Sequence, residues 1–358
     1  MAKIELRNVA HSYNAKEAEK TYALKPFNLT WENGGRYAVL GPSGCGKTTM
    51  LNIISGLLKP SEGKIIIDGI DLTEANTATR NIAQVFQFPV IYGTMTVYEN
   101  LAFPLVCRNF PKEAIRAKVE EVAELLNLTS HLTKRAKKLT ADQKQLISMG
   151  RGLVRDDVAA VLMDEPLTVI DPDLKFELRL RLKTINQNYG STMIYVTHDQ
   201  NEAMTFAQKI IVMNHGEVVQ VGTPQELFDR PQTTFVGYFI GAPAMNIFEC
   251  ALGEGNSIRL ENFKLKTSTS IPQSEASKLK LGIRSEYIKI VDQNAENTIL
   301  AQPNEVQDFG NYKLLSATFG DNVIKVKYDR KMGINSEQVL LQLPSERCNI
   351  YENDRLIQ

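Results

Sequence analysis

In the stretch Gly41-Pro42-Ser43-Gly44-Cys45-Gly46-Lys47-Thr48-Thr49, the first eight residues satisfy the pattern G-x-x-x-x-G-K-[ST] over its whole length. A polyphosphate needs backbone N–H groups close around it, which side chains at Gly41, Gly44 and Gly46 would obstruct, and the free donors of a following helix face its negative charge. Lys47 reaches terminal phosphates. The Thr48 hydroxyl is a ligand for Mg²⁺, which keeps several waters and takes its other ligands from phosphate oxygens and one or two protein groups. Further residues suit work on the same ligand. Asp164 and Glu165 end an apolar run; there Asp164 would hold Mg²⁺ directly or through water, and Glu165 would polarise an attacking water. Gln87, which ligates a metal through oxygen or holds a water, and His198, one of four histidines, each follow another apolar run of strand length. Tyr13 ends the first such run, where its ring can stack on a purine, a contact worth about 1–3 kcal/mol.

These side chains need strands to deliver them. Arg36–Leu40 leads into the phosphate loop and Met50–Ser55 continues it as a helix. Val158–Met163 is almost unbroken apolar sequence, as in a central parallel strand covered on both faces. Asn81–Phe86 precedes Gln87, and Thr192–Val196 precedes Thr197 and His198. Four such strand ends converge only at the carboxyl edge of one sheet, where open α/β folds bind ligands. Residues 3 to 9 and 22 to 31 alternate apolar and polar, which predicts a small antiparallel flap with the polar insertion Asn14–Lys20 between its strands. Lys64–Asp68 is a further strand closed by an Asp-Gly turn. Residues 88 to 157 read as a helical insert: after Pro111, the stretch Lys112–Asn127 puts Ile115, Val119, Val122 and Leu126 on one face. Asp171 with Pro172 opens another helix and Gly190 closes it.

A chain of 358 residues exceeds the size at which one core stops growing, so two domains are expected. Lysine plus arginine and aspartate plus glutamate both number 41; without a basic surplus, no nucleic-acid partner is expected. The four cysteines have neither metal-site spacing nor CxxC pairing, which suits a reduced, cytosolic chain. No run approaches the ~18 apolar residues of a membrane span, and the first residues lack the apolar core of a signal peptide. Membrane association must then come through a partner.

These pieces, in this order, resemble the nucleotide-binding subunits of ABC transporters, and in particular the maltose-type ATPases of bacterial carbohydrate importers. The resemblance covers nearly the whole chain. It implies a P-loop ABC core of α/β class, with a mostly parallel sheet, over residues 1–240. By position it makes Tyr13 the adenine-stacking residue, Gly41–Thr49 the Walker A loop, Gln87 the Q-loop, Asp164 with Glu165 the Walker B pair, Thr168–Asp171 the D-loop and His198 the switch histidine. Residues 241–358 resemble the regulatory C-terminal region of that subfamily, with Gly282-Ile283-Arg284-Ser285-Glu286-Tyr287 standing where its members read GIRPEH. Alternating runs such as Asn322–Tyr328 fit a small β-barrel of OB type. The stretch Ala83–Leu105 is similar to one of the two ATPases of glycerol uptake systems. The family implies ATP and Mg²⁺ as cofactors, integral membrane permease subunits and an extracytoplasmic solute-binding protein as partners, and a place at the cytoplasmic face of the cell membrane. Sugars, sugar alcohols, glycerol and glycerol phosphates are the solutes of such systems.

One segment departs from the pattern. The family signature LSGGQ is here Leu139-Thr140-Ala141-Asp142-Gln143. In a closed dimer this segment faces the γ-phosphate held by the other subunit. Thr140 keeps the hydroxyl, and Thr140-x-x-Gln143 predicts a capping box. Ala141 and Asp142, however, put a methyl and a carboxylate where backbone should approach an anion. At roughly 6 Å and an effective dielectric of about 20, one carboxylate opposes one phosphate charge by on the order of 3 kcal/mol. A pair with a second, non-identical ATPase would meet that repulsion once instead of twice. Two other readings are open: a soluble ABC ATPase outside transport, whose usual second cassette or coiled-coil insertion the chain lacks, and a non-hydrolysing regulatory cassette, against which Lys47, Glu165 and His198 argue.

Overall fold

The structure, a computed structural model, describes residues 2–14, 21–255, 257–268, 271, 278–334 and 337–357. Residues 15–20 of the polar insertion lie outside this set. The chain divides into two compact units, Met1–Pro224 and Gln225–Gln358.

The first unit runs β1 (Ile4–His11), β2 (Leu24–Trp31), β3 (Arg36–Leu40), α1 (Lys47–Ser55), β4 (Glu62–Ile67), β5 (Ile70–Asp71), α2 (Thr77–Arg80), β6 (Ile82–Val85), α3 (Val97–Val106), α4 (Lys112–Leu125) and α5 (Ala141–Leu153). It continues with β7 (Ala160–Asp164), α6 (Pro172–Tyr189), β8 (Met193–Thr197), α7 (Gln200–Phe206), β9 (Lys209–Asn214) and β10 (Glu217–Gly222). One sheet has the order β10-β9-β3-β8-β7-β6, parallel except for the edge strand β10. Every residue of β7 and β8 is buried, which is why their sequences show no alternation. The antiparallel sheet β2-β1-β4-β5 forms the flap, turned at Asp68 (φ 49°) and Gly69 (φ 80°).

Two cores hold this unit together. One packs β1, β2 and α1 against the main sheet through Ile4, Trp31, Val39, Leu51, Ile54 and Leu162. The other joins the insert to the sheet, with Ile115, Val119, Val122 and Leu126 all buried as their spacing requires. The insert holds more helix than periodicity reveals. A capping box of Thr96 and Glu99 starts α3, so Val97, Leu101 and Leu105 are core residues rather than an open surface. Arg80, 1% exposed, closes the far end of α1: its guanidinium donates to the carbonyls of Ile53, Ile54 (3.0 Å) and Thr73 (2.8 Å).

In the second unit, the short helices α8 (Pro224–Asp229) and α9 (Thr234–Phe239) precede β11 (Asn246–Leu252), β12 (Ser257–Leu260), β13 (Phe263–Lys266), β14 (Leu279–Ile283), β15 (Lys289–Val291) and β16 (Thr298–Asp308). They are followed by β17 (Tyr312–Phe319), β18 (Asn322–Asp329), β19 (Val339–Gln342), β20 (Asn349–Glu352) and β21 (Arg355–Leu356). Two antiparallel sheets, β13-β12-β11-β14-β20-β21 and β15-β19-β16-β17-β18, curl around one core to give a barrel-like domain. Arg284, 2% exposed, donates to the carbonyls of Phe228 (3.0 Å), Gly237 (2.9 Å) and Ile240. These bonds tie α8 and α9 to the barrel, so the compact division precedes residue 240. Ser285, which replaces the family proline, is fully buried, and its carbonyl accepts from Lys327 N–H at 3.0 Å.

Candidate functional site

The phosphate loop leaves β3, which is paired on both sides in the middle of the main sheet, and enters α1 at Lys47. Gly46 is the N-cap in left-handed conformation (φ 101°), and Gly44 has φ 79°. Two of the glycines answer first to their own protein. A Cβ at Gly41 would stand 2.4 Å from the Met213 carbonyl oxygen, and one at Gly46 would stand 2.6 Å from that of Ala23. A Cβ at Gly44 meets nothing within 4 Å, so its requirement is the positive φ. Lys47 folds back over the loop, its Nζ donating to Gly41 O (2.8 Å) and Pro42 O (2.9 Å), with the buried Cys45 Sγ 4.0 Å away. Pro42 and Ser43 lie at the loop's outer turn, Ser43 exposed.

Beside this loop β7 delivers Asp164 and Glu165. Asp164 is 8% exposed, with the Thr48 hydroxyl beside its carboxyl. Burial pushes its carboxyl above the usual carboxylate range, the neighbouring Thr48 hydroxyl opposes this, Glu165 adds to it and Lys47 offsets it. Glu165 turns out of the strand with φ 43°, a conformation uncommon for a residue other than glycine, asparagine or aspartate. Its N–H is held by Val196 O at 2.9 Å. That turn resolves how neighbouring strand residues serve one site: Asp164 faces Thr48, while the Glu165 carboxylate meets His198 Nδ1 at 3.1 Å and accepts from Gln87 Nε2 at 3.4 Å. Thr168 Oγ1 adds a contact to the same carboxylate at 3.4 Å. Gln87 follows β6, and His198 follows β8. The carboxyl edge of the sheet thus gathers Lys47, Thr48, Gln87, Asp164, Glu165 and His198.

Tyr13 stands outside this cluster at the loop's far side. It is 69% exposed, its hydroxyl lies 3.1 Å from Thr49 Oγ1, and its ring meets His11 edge-on at 4.7 Å between centroids. Thr140 caps α5 and Gln143 completes the box, with Gln143 Nε2 2.8 Å from His131 Nε2. The Asp142 carboxylate accepts from the Thr140 hydroxyl. Neither Tyr13 nor Thr140–Gln143 touches the Glu165 cluster.

Sequence reasoning missed two buried polar residues behind the site. Glu202, 4% exposed on α7, accepts from Thr197 Oγ1 (2.7 Å) and Tyr195 OH (2.9 Å), and Thr197 Oγ1 in turn accepts from Asp199 N–H (3.0 Å). This network fixes the residues on either side of His198. Gln145, fully buried on α5, donates to Phe86 O and Pro166 O. The available signal in both cases was a polar residue on an otherwise apolar helix face.

The arrangement suits phosphoryl transfer from a nucleoside triphosphate to water: a loop of N–H donors, a lysine, a carboxylate able to take a proton, and a histidine and a glutamine flanking it. The sequence profile of the ABC transporter family matches residues 24–168. The chain is 36% identical over 358 residues to the sn-glycerol-3-phosphate import ATP-binding protein UgpC of Pectobacterium atrosepticum, covering 99% of this chain and 98% of that relative. It is 40% identical over 291 residues to the protein of the same name from Yersinia enterocolitica, covering 81% and 79%. A solved dimer of the ATP-binding cassette MJ0796 in a post-hydrolysis state, bound to ADP and Pi, aligns with a TM-score of 0.56 at 31% identity, over 62% of this chain and 98% of that one. With relatives matched almost end to end and the phosphate loop at the centre of its sheet, the chain belongs to the ATP-binding proteins of the ABC transporter family and is an ATPase subunit of a transporter.

Proposed function

We propose that this subunit hydrolyses Mg-ATP to energise uptake of a glycerol phosphate, or of a related polyol or carbohydrate, through an ABC importer. The observation that carries the hydrolytic part is the Glu165 carboxylate, held between Gln87 and His198 beside the phosphate loop. ATP occupies Gly41–Thr49 with its base on Tyr13. Lys47 and His198 face the γ-phosphate, and Glu165 takes the proton of the attacking water. Thr48, Asp164 and Gln87 are the residues to hold Mg²⁺. Their oxygens suit a hard cation, and the Thr48 hydroxyl stands beside the Asp164 carboxyl, within reach of one ion. Bound there, Mg²⁺ neutralises phosphate charge. The solute class rests on the printed names of the relatives from Pectobacterium and Yersinia.

Partners follow from the same reading. No helix among the described residues is long and apolar enough to cross a membrane, so the subunit attaches to the cytoplasmic face through permease subunits, with an extracytoplasmic binding protein delivering solute. Within Phe88–Leu105, the exposed side chains of Phe88, Val90 and Tyr92, 40–71% exposed, are the ones to dock a cytoplasmic permease helix. The barrel-like domain serves regulation. A second ATPase of different sequence, bringing its own signature to the site of Lys47, Glu165 and His198, accounts for Asp142. The test is purification of the full chain from its native membrane, with Mg-dependent ATP hydrolysis and co-purifying integral membrane proteins as the expected result, and loss of sn-glycerol 3-phosphate uptake on deletion. Absence of hydrolysis in the membrane complex would remove the reading; unchanged uptake would remove the solute assignment alone.

A further inference from the structure

The carboxamide of Gln145 lies behind the site and is spent entirely on it. The side chain is 0% exposed, and its Nε2 donates both hydrogens, one to Phe86 O at 3.1 Å and one to Pro166 O at 3.0 Å. Phe86 immediately precedes Gln87, and Pro166 immediately follows Glu165. One amide nitrogen therefore fixes the peptide units next to the two side chains that meet at 3.4 Å. The other end of the carboxamide gains nothing, because Oε1 is buried without a hydrogen-bond partner. A residue kept for packing alone would not leave a buried acceptor unmet. The helix matters too. Gln145 stands one turn inside α5, whose first turn begins at Thr140 and carries Asp142 and Gln143.

We propose that Gln145 is a positioning residue for hydrolysis: it makes α5 the common support of Gln87 and Glu165, so that the placing of the Thr140–Gln143 end is passed to the carboxylate that takes the proton. This rests on the role given to Glu165 above. Without the two donors, the carbonyls of Phe86 and Pro166 lose their shared anchor, and Glu165 keeps its chemistry but not its place. Binding of nucleotide at Gly41–Thr49 does not depend on that anchor.

The test uses the full-length chain in its ATPase-active assembly, with Mg-ATP as the probe. Gln145→Met keeps the shape of the side chain and removes both donors; Gln145→Asn keeps the amide but cannot span both carbonyls. Each should lower kcat by about tenfold or more while leaving KM and the equilibrium affinity for Mg-ATP within about twofold. Ile147→Val, a buried change on the same helix, should leave kcat within about twofold and so separates positioning from general loosening of α5. In a Glu165→Gln background, Gln145→Met should add little further loss, because its effect runs through the same carboxylate. Equal multiplicative losses in both backgrounds, a kcat near wild type, or a fall in nucleotide affinity matching the fall in kcat would each overturn the proposal. So would insolubility of both Gln145 variants, which would make the residue a requirement of folding. If Glu165→Gln alone leaves hydrolysis intact, the assignment of Glu165 fails; if it abolishes hydrolysis while Gln145→Met does not, only the positioning role does.

Discussion

Replacing Glu165 with glutamine exchanges one carboxylate oxygen for an amide nitrogen and separates hydrolysis from binding. The substitution keeps the length of the side chain and an oxygen able to accept from His198 Nδ1, which lies 3.1 Å from the native carboxylate, and it leaves the backbone at φ 43°. What is lost is a base. General-base assistance contributes about 10²–10⁴-fold, so the barrier rises by about 3–5 kcal/mol. Binding should move the other way. The Glu165 charge raises the Asp164 carboxyl further above its ordinary range and, in the proposed site, faces the γ-phosphate, so its removal relieves repulsion with both. Mg-ATP affinity is therefore expected to stay the same or tighten, while single-turnover hydrolysis, with enzyme in excess over radiolabelled ATP, slows at least ~10²-fold. Single turnover near the wild-type rate would refute Glu165 as the base. Parallel loss of affinity and rate would show that the carboxylate serves to build the site and not to move a proton.

Glu165→Gly relieves the left-handed strain of about 1–2 kcal/mol against a glycine entropy cost of about 0.5–1 kcal/mol, and should raise the melting temperature relative to Glu165→Ala, which loses the same contacts to Gln87, Thr168 and His198, as both abolish hydrolysis; a glycine variant no more stable than the alanine variant would mean that the φ of 43° carries no strain. Burial holds the folded-state pKa of Asp164 above its unfolded value, so the unfolded state releases its proton first and stability is lost as pH rises from the ordinary 3.8 through the raised folded value. Asp164→Asn should flatten that loss in urea titrations of nucleotide-free protein and make the chain more stable than wild type at pH 7; identical pH profiles would contradict it. For Asp142→Gly, removal of a carboxylate opposing phosphate should speed ATP turnover by up to ~10²-fold in a homodimer, and a rate unchanged by the substitution would show that the LTADQ segment tolerates its charge.

The site residues on strand ends were legible because each sits where an apolar run stops, and a parallel sheet brings such ends to one edge whatever the loops between them do. The capping box at Thr140 and the Asp171–Pro172 helix start were legible for the same reason: both are local, decided within four residues. The extent of the insert was not. Its helix α3 begins at a capping box whose Glu99 lies among aromatic and apolar residues, and periodicity over Phe88–Leu105 is masked where an exposed stretch, Phe88 to Tyr92, runs into a buried one. The glycines were read for the wrong neighbour in part, since the oxygens that exclude side chains at Gly41 and Gly46 come from Met213 and Ala23, far apart in sequence. The roles of Gln145, Glu202 and Arg284 were not legible for a like reason: a buried polar side chain is explained only by its hydrogen-bond partners, and those lie on other elements.

Arg80 has a consequence for the phosphate site that contact geometry does not convey. A helix presents its positive pole at its first turn only in so far as its negative pole is not facing the same charge, and α1 is short, 9 residues or about 14 Å. With a guanidinium buried on its last carbonyls, the negative pole is masked, and the helix acts on the loop almost as a single positive end. The cation itself also reaches that far: at about 15 Å and an effective dielectric of about 20, one charge is worth roughly 1 kcal/mol per phosphate charge. Sealed from water at 1% exposure, it is hardly screened by salt. Phosphate recognition in this subunit is thus partly remote, and the affinity lost on Arg80→Met should grow from AMP to ADP to ATP, with equal losses across the three excluding such a field.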